Sequence, residues 1–330
     1  MSEALGLLDV PDRARTASIR LLGPLARPLL VPREARVAFY GLPLLALALA
    51  SASLVPAWVV GLGPIVWGIP HVLADIRYLV VRRGYHRRHL LAGLVVASLV
   101  ASYFFGMRAA VVGAAAAVVL SRASVPKKLL VLLAVGALGA AAFVETRTVD
   151  LAFVHLHNAV GFLLFFAWRR RASWLHLGVG AAAAAGVVAI GCGALDHAAL
   201  DLPAPRGLFL EDVALAVSPI TDGPWPMRFL LLYAFGQTAH YVVWMRLVPE
   251  EDRDTGPRSF RQTARALQAD LGRFVLAGAA LSMIALAVFA WHDVGEARVR
   301  YLHVAFFHGY LELVVAALWL CEGRPKATAA

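Results

Sequence analysis

Charge is scarce in this chain. Asp, Glu, Lys and Arg make up 16% of 330 residues, where an ordinary soluble domain carries about 25%. Cysteine is nearly absent, and Cys192 and Cys321 fall at opposite ends of two hydrophobic stretches, which excludes a disulfide framework and a thiolate-held cluster. The five methionines form no group, which disfavours copper(I). There is no Cys-x-x-Cys, no phosphate-binding glycine loop, no serine nucleophile motif and no internal repeat. The hydrophilic stretches are too small for a catalytic domain, so any chemistry has to sit inside the hydrophobic segments.

Those segments dominate the chain. Hydrophobic residues reach 60% and mean hydropathy is +0.71, which predicts an all-α, polytopic transmembrane bundle. Ten spans are expected, at 37–58, 59–81, 90–106, 109–121, 128–144, 151–168, 174–193, 227–248, 274–292 and 301–321. The fourth is short, and the first two are separated near Gly61, Gly63 and Pro64. With the N-terminus inside, 24 of the 31 Lys and Arg fall on the inner side, six fall outside and Arg77 lies near an inner helix end. This asymmetry puts both termini in the cytoplasm, and the expected location is the cell (inner) membrane. The net charge of +10 then reflects orientation and contact with membrane lipids, and calls for no nucleic acid.

One transmembrane domain, 37–321, is therefore expected between an interfacial N-terminal arm, 1–36, and a cytoplasmic tail, 322–330. The first hydrophobic stretch follows about 36 Arg-rich residues and reads as an anchor rather than a cleaved signal. The inner loop 249–273 repeats Phe260, Ala264, Leu267 and Leu271 at helical spacing and predicts a surface helix. The outer loop 194–226 carries a short amphipathic patch, LFLEDVALAV, suited to capping the bundle.

Ionisable and polar groups at membrane depth are costly, so each is a functional candidate. They are His71 and Asp75 in the second span, His155, His157 and Asn158 in the sixth, Gln237 and His240 in the eighth, and His303, His308 and Glu312 in the tenth. Residues four apart share a helix face, which stacks His71 with Asp75 and His308 with Glu312. His155 shares a face with Asn158 and Phe162, whereas His157 points roughly opposite, alongside Gly161. His303 is rotated about 140° from His308 at about 100° per residue. At about 1.5 Å per residue, His71, His240, His308 and Glu312 fall within reach of one plane near mid-bilayer, and His155 lies closer to the outer face.

Imidazoles with nearby carboxylates are the ligands that first-row metals take, and two histidines with one carboxylate leave open positions on iron for oxygen chemistry. His71, His240 and His308 are the expected ligands, with His155 and His303 as further candidates. Asp75 and Glu312 are read as catalytic groups that orient an imidazole or complete the ligand set. A hydrogen-bonded role between helices is the plain alternative for any single histidine. Trp67, Trp244, Phe306, Phe307 and Tyr310 are packing residues or the lining of a tunnel for a hydrophobic substrate.

The stretch GIPHVLADIRYL, residues 68–79, resembles the Gly-x-Pro-His-x-x-x-Asp motif of the bacteriorhodopsin-related-protein family, membrane β-carotene 15,15′-dioxygenases that form retinal. The resemblance covers about a tenth of the chain. It implies a helical bundle whose histidines hold iron, with His71 as a ligand and His240, in YAFGQTAHYVVW, as the counterpart of a later family histidine. Val72 stands where the family has glycine, and Trp244 stands where a second histidine would follow His240.

The leading expectation is thus a histidine-ligated membrane metalloenzyme, an iron(II) dioxygenase that uses dioxygen on a lipophilic substrate such as a carotenoid drawn from the bilayer. A proton- or cation-coupled transporter is the rival reading, and a haem-binding membrane protein with two axial histidines is a further one.

Overall fold

The computed structural model describes residues 6, 8–168, 173–253 and 258–323. Every regular element among them is helical. Arg169 to Arg171, Asp254 to Pro257 and the tail from Arg324 onward, on which part of the charge-orientation count rests, lie outside the described residues.

The arm contributes α1 (Asp9–Leu21), with no buried residue, and α2 (Ala26–Leu30). Apolar helices follow: α3 (Arg33–Leu54), α4 (Pro56–Asp75), α5 (His89–Phe105), α6 (Met107–Val119), α7 (Val125–Val144), α8 (Thr146–Trp168) and α9 (Trp174–Gly191). The 194–226 loop folds a short α10 (Leu210–Val217), and α11 (Trp225–Val242) re-enters the bundle. The amphipathic α12 (Phe260–Leu271), α13 (Arg273–His292), α14 (Val294–Ala305) and α15 (Phe307–Glu322) complete the chain.

Seven of these units are long and apolar enough to cross a membrane: α3, α4 with its extension to Val81, α7, α8, α9, α13, and α14 with α15. The protein is a membrane protein by this measure. α13 makes the point most directly: only Ala290 is buried, and Phe274, Leu281 and Trp291 face outward. A helix apolar on every side is at home only against lipid or other apolar chain.

Local chemistry places several boundaries differently from the sequence reading. The first two helices part at Val55, with φ −136° and ψ 54°, not near Gly61 to Pro64. Pro56 takes the first helical turn, where its missing N–H costs nothing. Gly61 instead lets α4 approach α14, since a Cβ there would stand 3.0 Å from the Val294 side chain. The short fourth span becomes α6, 13 residues or about 20 Å. It starts at Gly106, whose φ of +55° only glycine takes readily. Its alanines are packed between α5, α7 and α15 rather than set against lipid. The last span begins at Val294, capped by the Asp293 side chain, which accepts from the Glu296 N–H at 2.8 Å, and it breaks at Phe306.

The core forms around α11, which packs on α3, α4, α8, α9 and α10. Two helices widen to π-turns, α4 over Ile76–Val81 and α11 over Val243–Leu247. Wide turns of this kind recur beside functional sites. Here they directly follow His71 with Asp75, and His240.

At the end of the bundle where those turns lie, an ionic layer locks the helices. Arg33, Arg36, Arg77, Arg82, Arg83, Arg246 and Arg253 share Glu34, Glu250, Glu251, Asp252 and Asp270. Arg36 Nε donates to Glu250 Oε2 at 2.5 Å, with both side chains fully buried. Glu250 and Glu251 read in the sequence as loop residues. Their burial follows from α11 running on through Val248–Glu251 into the bundle. The helix anticipated in the inner loop is α12, closed at its start by a reciprocal Ser259–Gln262 cap.

Candidate metal centre

Four groups converge at mid-bundle. His71 and Asp75 come from α4, His240 from α11 and His308 from α15. Each offers one ligand atom, and these atoms all lie within 4.8 Å of one another. All four side chains are buried. The rings of His71 and His308 stand 4.6 Å apart, His71 and His240 5.6 Å, and His240 and His308 5.8 Å.

The backbone sets which nitrogen of each ring faces inward. His71 Nδ1 donates to the Trp67 carbonyl at 3.1 Å, and His308 Nδ1 to the Ala305 carbonyl at 2.5 Å. A ring whose Nδ1 carries the proton presents a bare lone pair at Nε2. The two Nε2 atoms then face each other at 3.2 Å. Two lone pairs at that distance repel unless a cation lies between them. Two nitrogens each about 2.1 Å from one ion would be roughly 3 Å apart, so the spacing fits a shared metal.

The carboxylates are equally exposed to this logic. Both oxygens of Asp75 are buried without a hydrogen-bond donor, and so are Glu312 Oε2 and both nitrogens of His240. Glu312 Oε1 accepts from Trp244 Nε1 at 2.7 Å and stands 3.5 Å from His240 Nε2. Buried polar groups without partners each cost about 1 to 3 kcal/mol, more when charged. A divalent cation would satisfy the imidazole nitrogens and offset the carboxylates together, so the residues present fit such an ion.

His157 joins from α8, although the sequence reading turned it away. Its ring is 5.3 Å from His240 and 5.7 Å from His308, and its Nδ1 donates to the Phe153 carbonyl at 3.2 Å, the same locking used by His71. His155 is placed elsewhere: its Nε2 bonds the Val217 carbonyl on α10 at 2.8 Å, and its ring rests against Phe229. The two histidines lie about 200° apart around the helix, so only one can look inward. Gly161, one turn beyond His157, was the usable signal. A Cβ there would stand 2.8 Å from His240 Nδ1 and 3.3 Å from Trp244 Nε1. His303 is also outside the cluster, with its ring 4.6 Å from Tyr103.

A cavity of about 40 Å³ lies among His71, His157, His240 and His308, bounded by Asn158, Gln237 and Tyr301. Gly68 makes room for Tyr301, whose ring a Cβ at that position would overlap. Phe306, at the α14–α15 break, lines both this cavity and an apolar groove of about 700 Å³ between α5 and the last helices. Val100, Tyr103, Phe104, Phe307 and His303 line the groove.

The fold and centre define an all-helical membrane protein with a buried histidine and carboxylate cluster. No protein-family model, no curated protein and no solved structure matches the chain.

Proposed function

We propose that this protein, located in the cell's inner membrane, holds one iron(II) ion at His71, His240 and His308 and oxidises a lipophilic small molecule with dioxygen. The observation that carries the reading is the facing pair of Nε2 lone pairs on His71 and His308, 3.2 Å apart. Iron bound there would supply dioxygen activation next to an alkene. The chain's own residues do the rest. Backbone carbonyls of Trp67, Ala305 and Phe153 fix three rings in orientation. Asp75 and Glu312 bring the negative charge that balances a divalent cation, and Trp244 holds Glu312 in place. His157 is a fourth donor at the edge of the set. The cavity, about 40 Å³, suits dioxygen or a water and has no room for a haem macrocycle. The groove beyond Phe306 has the volume and apolar lining of a site for a lipid-soluble substrate. The motif around His71 makes a carotenoid the first substrate to try.

Metal analysis of full-length protein purified in mild detergent tests the reading. About one iron per chain is expected, with loss in a His71→Ala, His308→Ala double variant that still folds. Folded wild-type protein without a stoichiometric transition metal would move the assignment to the rival, a proton- or cation-coupled transporter. Expression in β-carotene-producing cells tests the substrate separately, with bleaching and retinal expected. Unchanged colour beside an iron-loaded protein would point to another lipid.

A further inference from the structure

A second pocket, of about 370 Å³, opens at the end of the bundle that holds the ionic layer, between α4, the π-turn of α11 and α12. The positive-inside count assigns this end to the cytoplasm. Arg77, Arg82, Arg246, Arg253 and Arg258 line it, and none of its lining residues among the described ones is a carboxylate. The remaining wall is largely apolar, with Leu73, Met245 and Leu267. Among the described residues, the layer behind pairs seven arginines with five acids, a positive surplus beside the pocket. Arg258 adds to it: the residue is exposed and has no ion-pair partner among the described residues.

We propose that this pocket binds the phosphate headgroup of one anionic phospholipid from the adjacent leaflet. Guanidinium groups bind phosphate oxygens through paired N–H donors. Basic pockets between helices at the inner face are suited to anionic headgroups. The apolar wall of Leu73, Met245 and Leu267 accounts for a lipid rather than free phosphate, because it offers acyl chains a surface to lie against. The amphipathic α12 forms one side, and its Leu267 faces this same space. The inference does not depend on a metal at the histidine cluster.

Native mass spectrometry of the full-length protein in mild detergent tests it, with phosphatidylglycerol, phosphatidylcholine and inorganic phosphate as separate probes. One phosphatidylglycerol per chain is expected, held at least about tenfold more tightly than phosphatidylcholine. Arg258→Gln should weaken it about fivefold, and Arg246→Gln with Arg258→Gln roughly 25-fold, at about fivefold per arginine. Arg246 also pairs with Glu250 and lies over Tyr40, so if the double variant fails to fold, Arg258→Gln alone decides. Equal retention of the two lipids overturns the proposal, as does unchanged phosphatidylglycerol binding in folded variants. Displacement of phosphatidylglycerol by millimolar inorganic phosphate would make this a free-anion site and overturn the lipid assignment.

Discussion

Gly161 gives the sharpest test of the centre, because its replacement by alanine removes no candidate ligand. The added Cβ would stand 2.8 Å from His240 Nδ1, whereas ordinary contact begins at 3.4 Å, so something must give by 3.4 − 2.8 = 0.6 Å. The imidazole can retreat only into the cavity it shares with His157, His71 and His308 or against Trp244, and either movement changes the geometry of the ligand set. A functional geometry tolerates displacements of about 0.5 Å, and disturbing the support of a metal ligand typically costs about 10- to 100-fold in affinity. Gly161→Ala should therefore lose metal by that factor in a chelator competition. It should also lower stability by about 1 to 3 kcal/mol through overpacking. Gly136→Ala is the control, since nothing lies within 4 Å of its Cβ position. That change should leave metal untouched and raise stability by about 0.5 to 1 kcal/mol. If folded Gly161→Ala protein keeps wild-type metal affinity, His240 is not a ligand in this arrangement and the centre as described is wrong.

Phe306→Trp should reduce turnover of a lipophilic substrate while leaving metal content unchanged, because the residue lines both groove and cavity without offering a ligand; equal loss of both in an otherwise folded variant would refute the partition. Glu250→Gln removes the partner of fully buried Arg36 and should destabilise by about 3 to 5 kcal/mol in reversible unfolding, and a change below about 1 kcal/mol would show that the ion pair is dispensable. In the 194–226 loop, the hydrogen bond from Arg228 holds the Asp196 carboxyl below the usual carboxylate range. A depressed carboxyl pKa stabilises the fold above the unfolded value near 4 and stops doing so as pH falls through the lower folded value. Asp196→Asn should thus lower the melting temperature at pH 7, and the gap to wild type should close in acid; a gap independent of pH would mean that the charge plays no part.

The sequence by itself determined the kind of molecule. Long apolar runs in a chain poor in charge leave helices in a membrane as the outcome, because lipid offers no partner for an unpaired backbone group. The rarity of polar groups in those runs also singled out His71, Asp75, His240, His308 and Glu312, which the structure brings to one place. Helical periodicity could not choose between His155 and His157, since the phase of α8 is fixed by its neighbours: α10 offers the Val217 carbonyl to His155, and Gly161 lets α11 close on the other face. Nor could periodicity place Glu250 and Glu251, whose burial comes from α11 running past its π-turn into a layer of arginines. Which residues are polar within lipid is written in composition and spacing. Which of them meet is decided by rotation and close approach of whole helices, a property of the packed bundle that no single segment carries.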